Sequence, residues 1–508
     1  MEAKGNYELR DEVSLARGSF YGASGVVFRV VFLFLANLIL ARKLGAGSYG
    51  VWALNFLILS FGNVISFLGL NRGLSRFIAN YRAERKLAEI DKVIGSSLFL
   101  SILVSAGVCL SLYGLSSYAG RLFRIPSLSA ILKITSFTFI PLAFIETVGA
   151  IFQGYEDIRL SRLINSFFPS LLWFFGVVLL VFTKISLLKI AFIYLFSFWI
   201  AGLISIFFLW SRKLFTKIEV SFFFLKEIFK FCLPLLFFDF LTLVTVYTDS
   251  LLIGYFLGPY KVGIYNIAFR IARLTPLLLL GNMDIFTPVI AKNLKEISYD
   301  NLKINELYLR NTKWIFILTS GVIFTIIFFP EFFLGLFGKD YVQGTLVLRL
   351  LLIGYLIYTL FGATEAMNIG LGDTKFVAFY TFIGALFSIS FNFLLIPRLG
   401  IKGAGITAII SIFLMKGIAY YKLCRYNRVN LFRKEYIKFL FYSFLTAIGI
   451  GFFVLIFTEG GFFSVLLFII LFFMLQYLIL KFLDMIDEKD IELFKRSFYK
   501  LKRVFVFN

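Results

Sequence analysis

The sequence predicts an all-α polytopic membrane protein of about fourteen transmembrane helices, twelve of them in two pseudo-symmetric sets of six. Three observations predict it. The 508 residues are 60% hydrophobic and include 68 Phe, with a mean hydropathy of +0.90, which is more apolar surface than a soluble core of this length buries. Apolar runs of about 20 residues, the helix length that crosses a hydrocarbon core of roughly 30 Å, recur along the whole chain. A glycine-rich hinge between two such runs, Leu44-Gly45-Ala46-Gly47-Ser48-Tyr49-Gly50-Val51-Trp52, returns 213 residues later as Leu257-Gly258-Pro259-Tyr260-Lys261-Val262-Gly263-Ile264-Tyr265.

In chain order, residues 1–17 are a polar, mixed-charge tail. The first lobe, 18–215, contains runs near 18–40, 50–70, 93–117, 128–151, 163–183 and 187–210. The second, 225–425, contains 230–257, 262–290, 313–330, 345–369, 375–396 and 401–421. Two further runs, 437–457 and 461–481, make up 430–482, and 483–508 is a basic tail. Pro126, Gly154, Pro259, Pro330, Gly372 and Pro397 punctuate the breaks. The first run outlasts a signal-peptide core and has no small-residue cleavage site after it, so it is read as a retained span. Of the 51 basic residues, about 35 fall in one alternate set of loops and about 10 in the other. The positive-inside rule then puts both termini in the cytoplasm, in agreement with an even number of spans.

The same charge pattern explains the net charge of +22 by topology, so no nucleic-acid partner is expected. Cys109, Cys232 and Cys424 stand singly in or at the ends of apolar runs and suggest neither disulfides nor a metal site. The chain has no His, which removes His triads, His metal sites and His proton relays. No Gly-x-x-x-x-Gly-Lys-[Ser/Thr] loop occurs, so nucleotide hydrolysis is not expected to drive it. The longest loop on the side opposite the termini, about 331–344, leaves no room for the acceptor domain of a membrane glycan polymerase.

A second pair of anchors supports the duplication. Gln153-Gly154-Tyr155-Glu156-Asp157 follows the fourth run and Ile369-Gly370-Leu371-Gly372-Asp373 the tenth, with Gly154 over Gly370 and Asp157 over Asp373. Six spans per half give both copies the same orientation, a parallel repeat. The order Ala41-Arg42-Lys43-Leu44-Gly45, Tyr49-Gly50, Leu68-Gly69-Leu70-Asn71-Arg72, Arg76-Phe77, the hinge copy at Leu257 and Gly370-Leu371-Gly372-Asp373-Thr374-Lys375 resembles the polysaccharide exporters and lipid-linked oligosaccharide flippases of the multidrug/oligosaccharidyl-lipid/polysaccharide (MOP) superfamily. The resemblance covers essentially the whole chain. It implies two six-helix lobes around a central cavity, alternating access, two extra C-terminal helices, and an amphiphilic substrate whose glycan crosses the cavity while its polyprenyl tail stays in lipid.

Ionisable residues inside the spans are the sharpest signal of function, because each costs about 2.5–3.5 kcal/mol at mid-membrane on insertion scales. Arg29 lies in the middle of the first run, and Asn266, Arg270 and Arg273 share one face of the eighth at i, i+4 and i+7. Arginine suits phosphate because its planar fork donates two parallel hydrogen bonds, so Arg29, Arg270, Arg273 and Asn266 are expected to bind a headgroup. The bland alternative is ion pairing of Asp249 with Arg270 or Arg273 between helices. Arg72 and Arg76, at the cytoplasmic end of the second run, fit positive-inside counting and also the recruitment of headgroups at an entrance. Asp239 and Asp249 form an acidic stripe on the seventh run; with Glu146, Asp284 and Glu365 they are candidates for a coupling cation, H+ or Na+. Arg349, Lys416 and Lys133 lie within snorkelling reach of span ends. Asp157 and Asp373 are expected to cap or turn loops.

The expected function is translocation of polyprenyl-(pyro)phosphate-linked oligosaccharide across the cytoplasmic membrane for surface glycan assembly, by a monomer with no cofactor and with glycan-assembly enzymes as candidate partners. The alternative is a cation-coupled, MATE-like exporter of small amphiphilic drugs or metabolites; an enzyme is not expected.

Overall fold

The computed structural model describes residues 2–483 and Met485, apart from positions 213, 215–216, 218, 278, 280–285, 288–289, 291–300, 428–429, 432 and 459–460. For residues 2–24, 26, 301–304 and 426–427 it describes backbone only. Asp284 and the basic tail from 486 onward lie outside the described residues.

Among the described residues the chain is helical without strands. It runs as α1 (Glu2–Phe67), α2 (Leu70–Ala83), α3 (Leu87–Leu122), α4 (Pro126–Thr135), α5 (Phe139–Gly154), α6 (Ile158–Arg162), α7 (Phe168–Val181), α8 (Leu187–Ser211), α9 (Phe222–Leu257) and α10 (Pro259–Leu274). There follow α11 (Asn301–Phe328), α12 (Pro330–Gly335), α13 (Thr345–Leu360), α14 (Thr364–Gly370), α15 (Thr374–Leu399), α16 (Ile401–Asn427), α17 (Lys434–Phe457) and α18 (Phe462–Phe482). Among the described residues, twelve helical stretches are long and apolar enough to cross a membrane. One of them, Val27–Ala83, is 57 residues long and holds two expected spans, while the expected span at 262–290 runs from α10 into positions outside the described residues. The expectation of about fourteen is consistent with this. The backbone of the expected N-terminal tail is already helical from Glu2, in keeping with its Ala, Glu, Leu and Arg content.

Two compact units are present. The first comprises Met1–Phe269, Leu334–Val347 and Thr381–Ser411. Its core includes Leu74 and Ile78 of α2, Ile94 of α3, Val148 and Phe152 of α5 and Ile228 of α9. The second comprises Arg270–Phe333, Leu348–Tyr380 and Ile412–Asn508. There α11 packs on α17 and α18 through Phe324 against Phe444 at 5.4 Å and Phe328 against Phe468 at 5.5 Å. Lipid tails are as apolar as side chains, so close packing around small residues must hold these helices together. Gly451, whose β-carbon would lie 2.3 Å from the Phe328 ring, supplies such a recess.

The two hinges have one backbone geometry. Gly45 breaks α1 at φ 69°, ψ 169°, and Gly258 separates α9 from α10 at φ 80°, ψ 177°, a region open essentially to glycine alone. In the first unit the hinges also pack on each other. A β-carbon on Gly50 would lie 1.7 Å from the Pro259 carbonyl oxygen, and one on Gly263 would lie 2.1 Å from that of Ala46. Each hinge thus presents a carbonyl to the other's glycine, in a reciprocal contact. The segment Leu334–Val347 covers the contact: the Tyr341 hydroxyl donates to the Ala41 carbonyl at 3.1 Å and Gln343 Nε2 to the Tyr260 hydroxyl at 3.0 Å.

The second pair of anchors is matched in the same way. A β-carbon on Gly154 would meet the Ile78 side chain at 2.7 Å and the Ser75 carbonyl at 3.1 Å; one on Gly370 would meet Ile290 at 2.9 Å and the Thr287 carbonyl at 3.0 Å. Asp157 caps α6, accepting from the Leu160 amide at 3.0 Å, as expected. Asp373 precedes α15 and pairs with Lys422 at 2.8 Å.

Any side chain at Gly50 or Gly263 must push two backbones apart, and overpacking of this kind costs typically about 1–3 kcal/mol. Gly263→Val is therefore expected to lower the melting temperature of the detergent-solubilised protein. Gly47→Ala, at a position with no atom within 4 Å of the new β-carbon, is expected to leave it unchanged; equal melting of the two variants would contradict the hinge packing.

Candidate functional site

The candidate residues fall into three clusters. In the first, α1 approaches α6 at Gly25, whose β-carbon would lie 3.1 Å from that of Arg162. Arg29, one turn further along α1, follows on the same face. Glu146 of α5, half-buried, lies within electrostatic reach of Arg29 and Arg162, and Tyr194 of α8 lies within reach of Arg29. Between α6 and α7 the chain makes a π turn, Leu163–Phe167, a local widening often found at functional sites. It carries Asn165 against Gly149, where a β-carbon would lie 1.9 Å from Asn165 Oδ1. That oxygen is buried and has no hydrogen-bond partner among the described residues. Two guanidinium groups around one carboxylate leave a net positive charge. Arg162 is absent from the expected site because positive-inside counting assigns it to a loop; its signal is its place immediately before the unusual turn.

The second cluster joins α2 to α9. Gly69 and Gly73 let α9 in close, their β-carbon positions lying 2.9 Å from Leu235 Cβ and 2.6 Å from Cys232 Sγ. Arg72 pairs with Asp239 at 3.2 Å, so two residues expected to do different work neutralise each other. Beside this contact lies a cleft of about 640 Å³ lined by Arg76 and Asn80 of α2 and by Glu227, Lys230 and Phe231 of α9. The Arg76 guanidinium stands 5.2 Å from the centre of the Phe231 ring, a cation–π arrangement. The α9 residues were not expected; they follow from the i, i+4, i+7, i+11 stripe of Gly69, Gly73, Arg76 and Asn80, two glycines followed by two polar residues on one helix face.

The third cluster is in the second unit. Lys416 of α16 is 4% exposed, lies 3.8 Å from Glu365 of α14 and stands 3.8 Å above the Tyr358 ring. It is held inside the protein and does not snorkel. Tyr380, 2% exposed, is in electrostatic contact with Glu365 and Tyr358, and its hydroxyl has no hydrogen-bond partner among the described residues. Arg349, in contrast, is exposed and donates to the Ile327 carbonyl at 3.1 Å, and Lys133 stands 6.0 Å from the Tyr113 ring.

The other candidates are more dispersed. Asp249 is buried and accepts from the Tyr265 hydroxyl and, at 2.6 Å, from the Ser250 amide. Asn266 is 3% exposed, Arg270 is half-buried and Arg273 exposed, so the expected stripe on α10 runs from core to surface.

Removing one member of a buried ion pair leaves an uncompensated charge, a loss of about 3–5 kcal/mol when both groups are fully buried. Lys416→Met is expected to lower the melting temperature by an amount corresponding to about 3 kcal/mol, and Lys416→Met combined with Glu365→Gln to recover most of it. No recovery in the double variant would show that the two residues are not energetically coupled.

Among solved structures, the chain is similar to an inward-facing multidrug resistance MATE family transporter of the MOP superfamily, at 19% identity over 78% of this chain and 94% of that one, with a TM-score of 0.67. An outward-facing MATE family transporter matches at 19% identity over 82% and 94% of the two chains, TM-score 0.60. A MOP superfamily transporter from Pyrococcus furiosus, described as having a binding pocket of reverse polarity that suggests a different function, matches at 18% over 82% and 94%, TM-score 0.59. Comparison with curated proteins returns no match. Residues 39–343, more than half of the chain, match the family described as polysaccharide biosynthesis protein. The chain belongs to that family, on the multi-pass fold of the MOP transporters.

Proposed function

We propose that this chain is a flippase that moves polyprenyl-(pyro)phosphate-linked oligosaccharide from the cytoplasmic to the external leaflet of the cytoplasmic membrane. The observation that carries the reading is a polysaccharide biosynthesis sequence with arginines inside its long apolar runs. Arg29, beside Arg162 and facing a single carboxylate, supplies excess positive charge where a phosphate must cross. Asn266, Arg270 and Arg273 of α10 are further candidates for headgroup contact, chosen for their shared helix face. A guanidinium stays charged when partly desolvated and grips phosphate through two parallel hydrogen bonds, so these residues hold the charged head while the polyprenyl tail remains in lipid.

Alternating access then requires two states of comparable free energy between which bound substrate shifts the population. A substrate gradient, an ion gradient or the membrane potential drives the cycle, with Glu146 as the candidate to exchange a cation as the arginines take up or release phosphate. Both termini lie in the cytoplasm, as the basic loops require. The reading of a cation-coupled exporter of small amphiphiles is supported by the MATE fold and by the acidic residues in the apolar runs, without a family match of its own.

In proteoliposomes, the full chain is expected to accelerate headgroup exposure of a lipid-linked oligosaccharide at least tenfold over empty liposomes. Arg270→Gln is expected to abolish the acceleration while leaving membrane insertion intact. No acceleration by the folded wild type, or export of cationic dyes in its place, would overturn the flippase reading; normal flipping by Arg270→Gln would return that residue to a structural role.

A further inference from the structure

We infer that the cleft between α2 and α9 is an entry station, where the phosphate and first sugar of a lipid-anchored headgroup dock before transport; this rests on the flippase reading. The argument begins with the walls. At one end the glycine contacts of Gly69 and Gly73 seal α2 against α9, and at the other Tyr81 and Phe224 close it edge to face at 5.9 Å. Between them the cleft of about 640 Å³ falls in the range of pockets that take drug-sized ligands, about 300–1,000 Å³, and so has room for more than a bare phosphate.

Its charge matches such a ligand. Arg76 and Lys230 are exposed cations on opposite walls. Arg76 is braced by the Phe231 ring, which limits the conformational freedom lost on binding. Arg72 is already engaged by Asp239, so it is the two cations further along that remain for phosphate. Asn80 and Glu227 add hydrogen-bonding groups of the kind that sugar hydroxyls use, and a carboxylate in the lining disfavours a ligand of dense negative charge and little else.

The route for the tail is beside it. On α9, Phe229, Leu233 and Phe237, at i, i+4 and i+8, are 43%, 48% and 59% exposed and form an apolar stripe adjoining the polar face that lines the cleft. A headgroup in the cleft and an isoprenoid chain on the stripe would together satisfy both surfaces of one helix. The lining residues Arg76, Asn80, Glu227 and Lys230 fall within two basic stretches of sequence, 71–92 and 211–230, which the positive-inside rule assigns to the cytoplasmic side, where the headgroup must be collected.

The test uses the full chain in liposomes with a photoreactive isoprenyl diphosphate carrying one N-acetylglucosamine. Labelling is expected within residues 76–80 or 227–235 and is expected to fall at least fivefold in the double variant Arg76→Gln/Lys230→Gln at an unchanged melting temperature. Should the double variant melt lower, Lys230→Gln alone, at an exposed position, is expected to show at least a twofold loss. Labelling confined to other segments, no loss in the variants, or competition by phosphatidylglycerol as strong as by unlabelled probe would overturn the assignment. A wild type that labels in the cleft yet does not flip the probe would uphold the docking site and remove the flippase reading; one that flips the probe without labelling the cleft would do the reverse.

Discussion

The contact on which the rest of the first unit depends is made by backbone alone: Gly50 against the Pro259 carbonyl and Gly263 against that of Ala46. In lipid there is little hydrophobic force between helices, and association rests on how closely they approach. Here the absence of two side chains sets that approach. Once the hinges meet, Tyr341 and Gln343 can reach their partners across them. Arg29 lies roughly 24 Å along α1 from Gly45 at 1.5 Å per residue.

Much of this architecture was legible in the sequence because duplication leaves a pattern. Gly45 and Gly258 share a backbone conformation that glycine alone adopts readily, so they could be aligned in a chain whose apolar residues are nearly interchangeable. Gly154 and Gly370 carry the same kind of signal, each receiving an isoleucine and a carbonyl. Side-chain chemistry was less legible. Arg162 looks like any basic loop residue until the π turn places it beside α1, and Lys416 looks like a lysine within reach of water until Glu365 and Tyr358 enclose it. Arg72 and Asp239 were visible separately; their pairing depends on α9 crossing two glycines of α2, a tertiary fact that no local pattern states.

The two halves share a backbone plan without sharing a charge plan. Glu146 and Glu365 stand one turn apart when the halves are aligned on Gly154 and Gly370, yet one faces two arginines and the other a single buried lysine over an aromatic ring. The first arrangement has cation to spare for an anion. The second is internally balanced, as expected of a polar group that must live in a low-dielectric core. The glycine anchors of the two halves thus match in backbone while the charges near them do not.

The glycines of the two hinges are also required for different reasons. Gly50 and Gly263 answer to space, since their missing side chains are filled by a neighbouring carbonyl. Among the described residues, Gly258 has nothing within 4 Å of where a β-carbon would stand, and Gly45 has only the Asp340 carboxylate at 3.9 Å. Their constraint is handedness: a backbone near φ +70° to +80° with extended ψ is the mirror image of an ordinary extended residue. L-alanine would meet no collision at either position yet would strain the backbone there, so at these two points the chain selects for the absence of chirality and not for the absence of bulk.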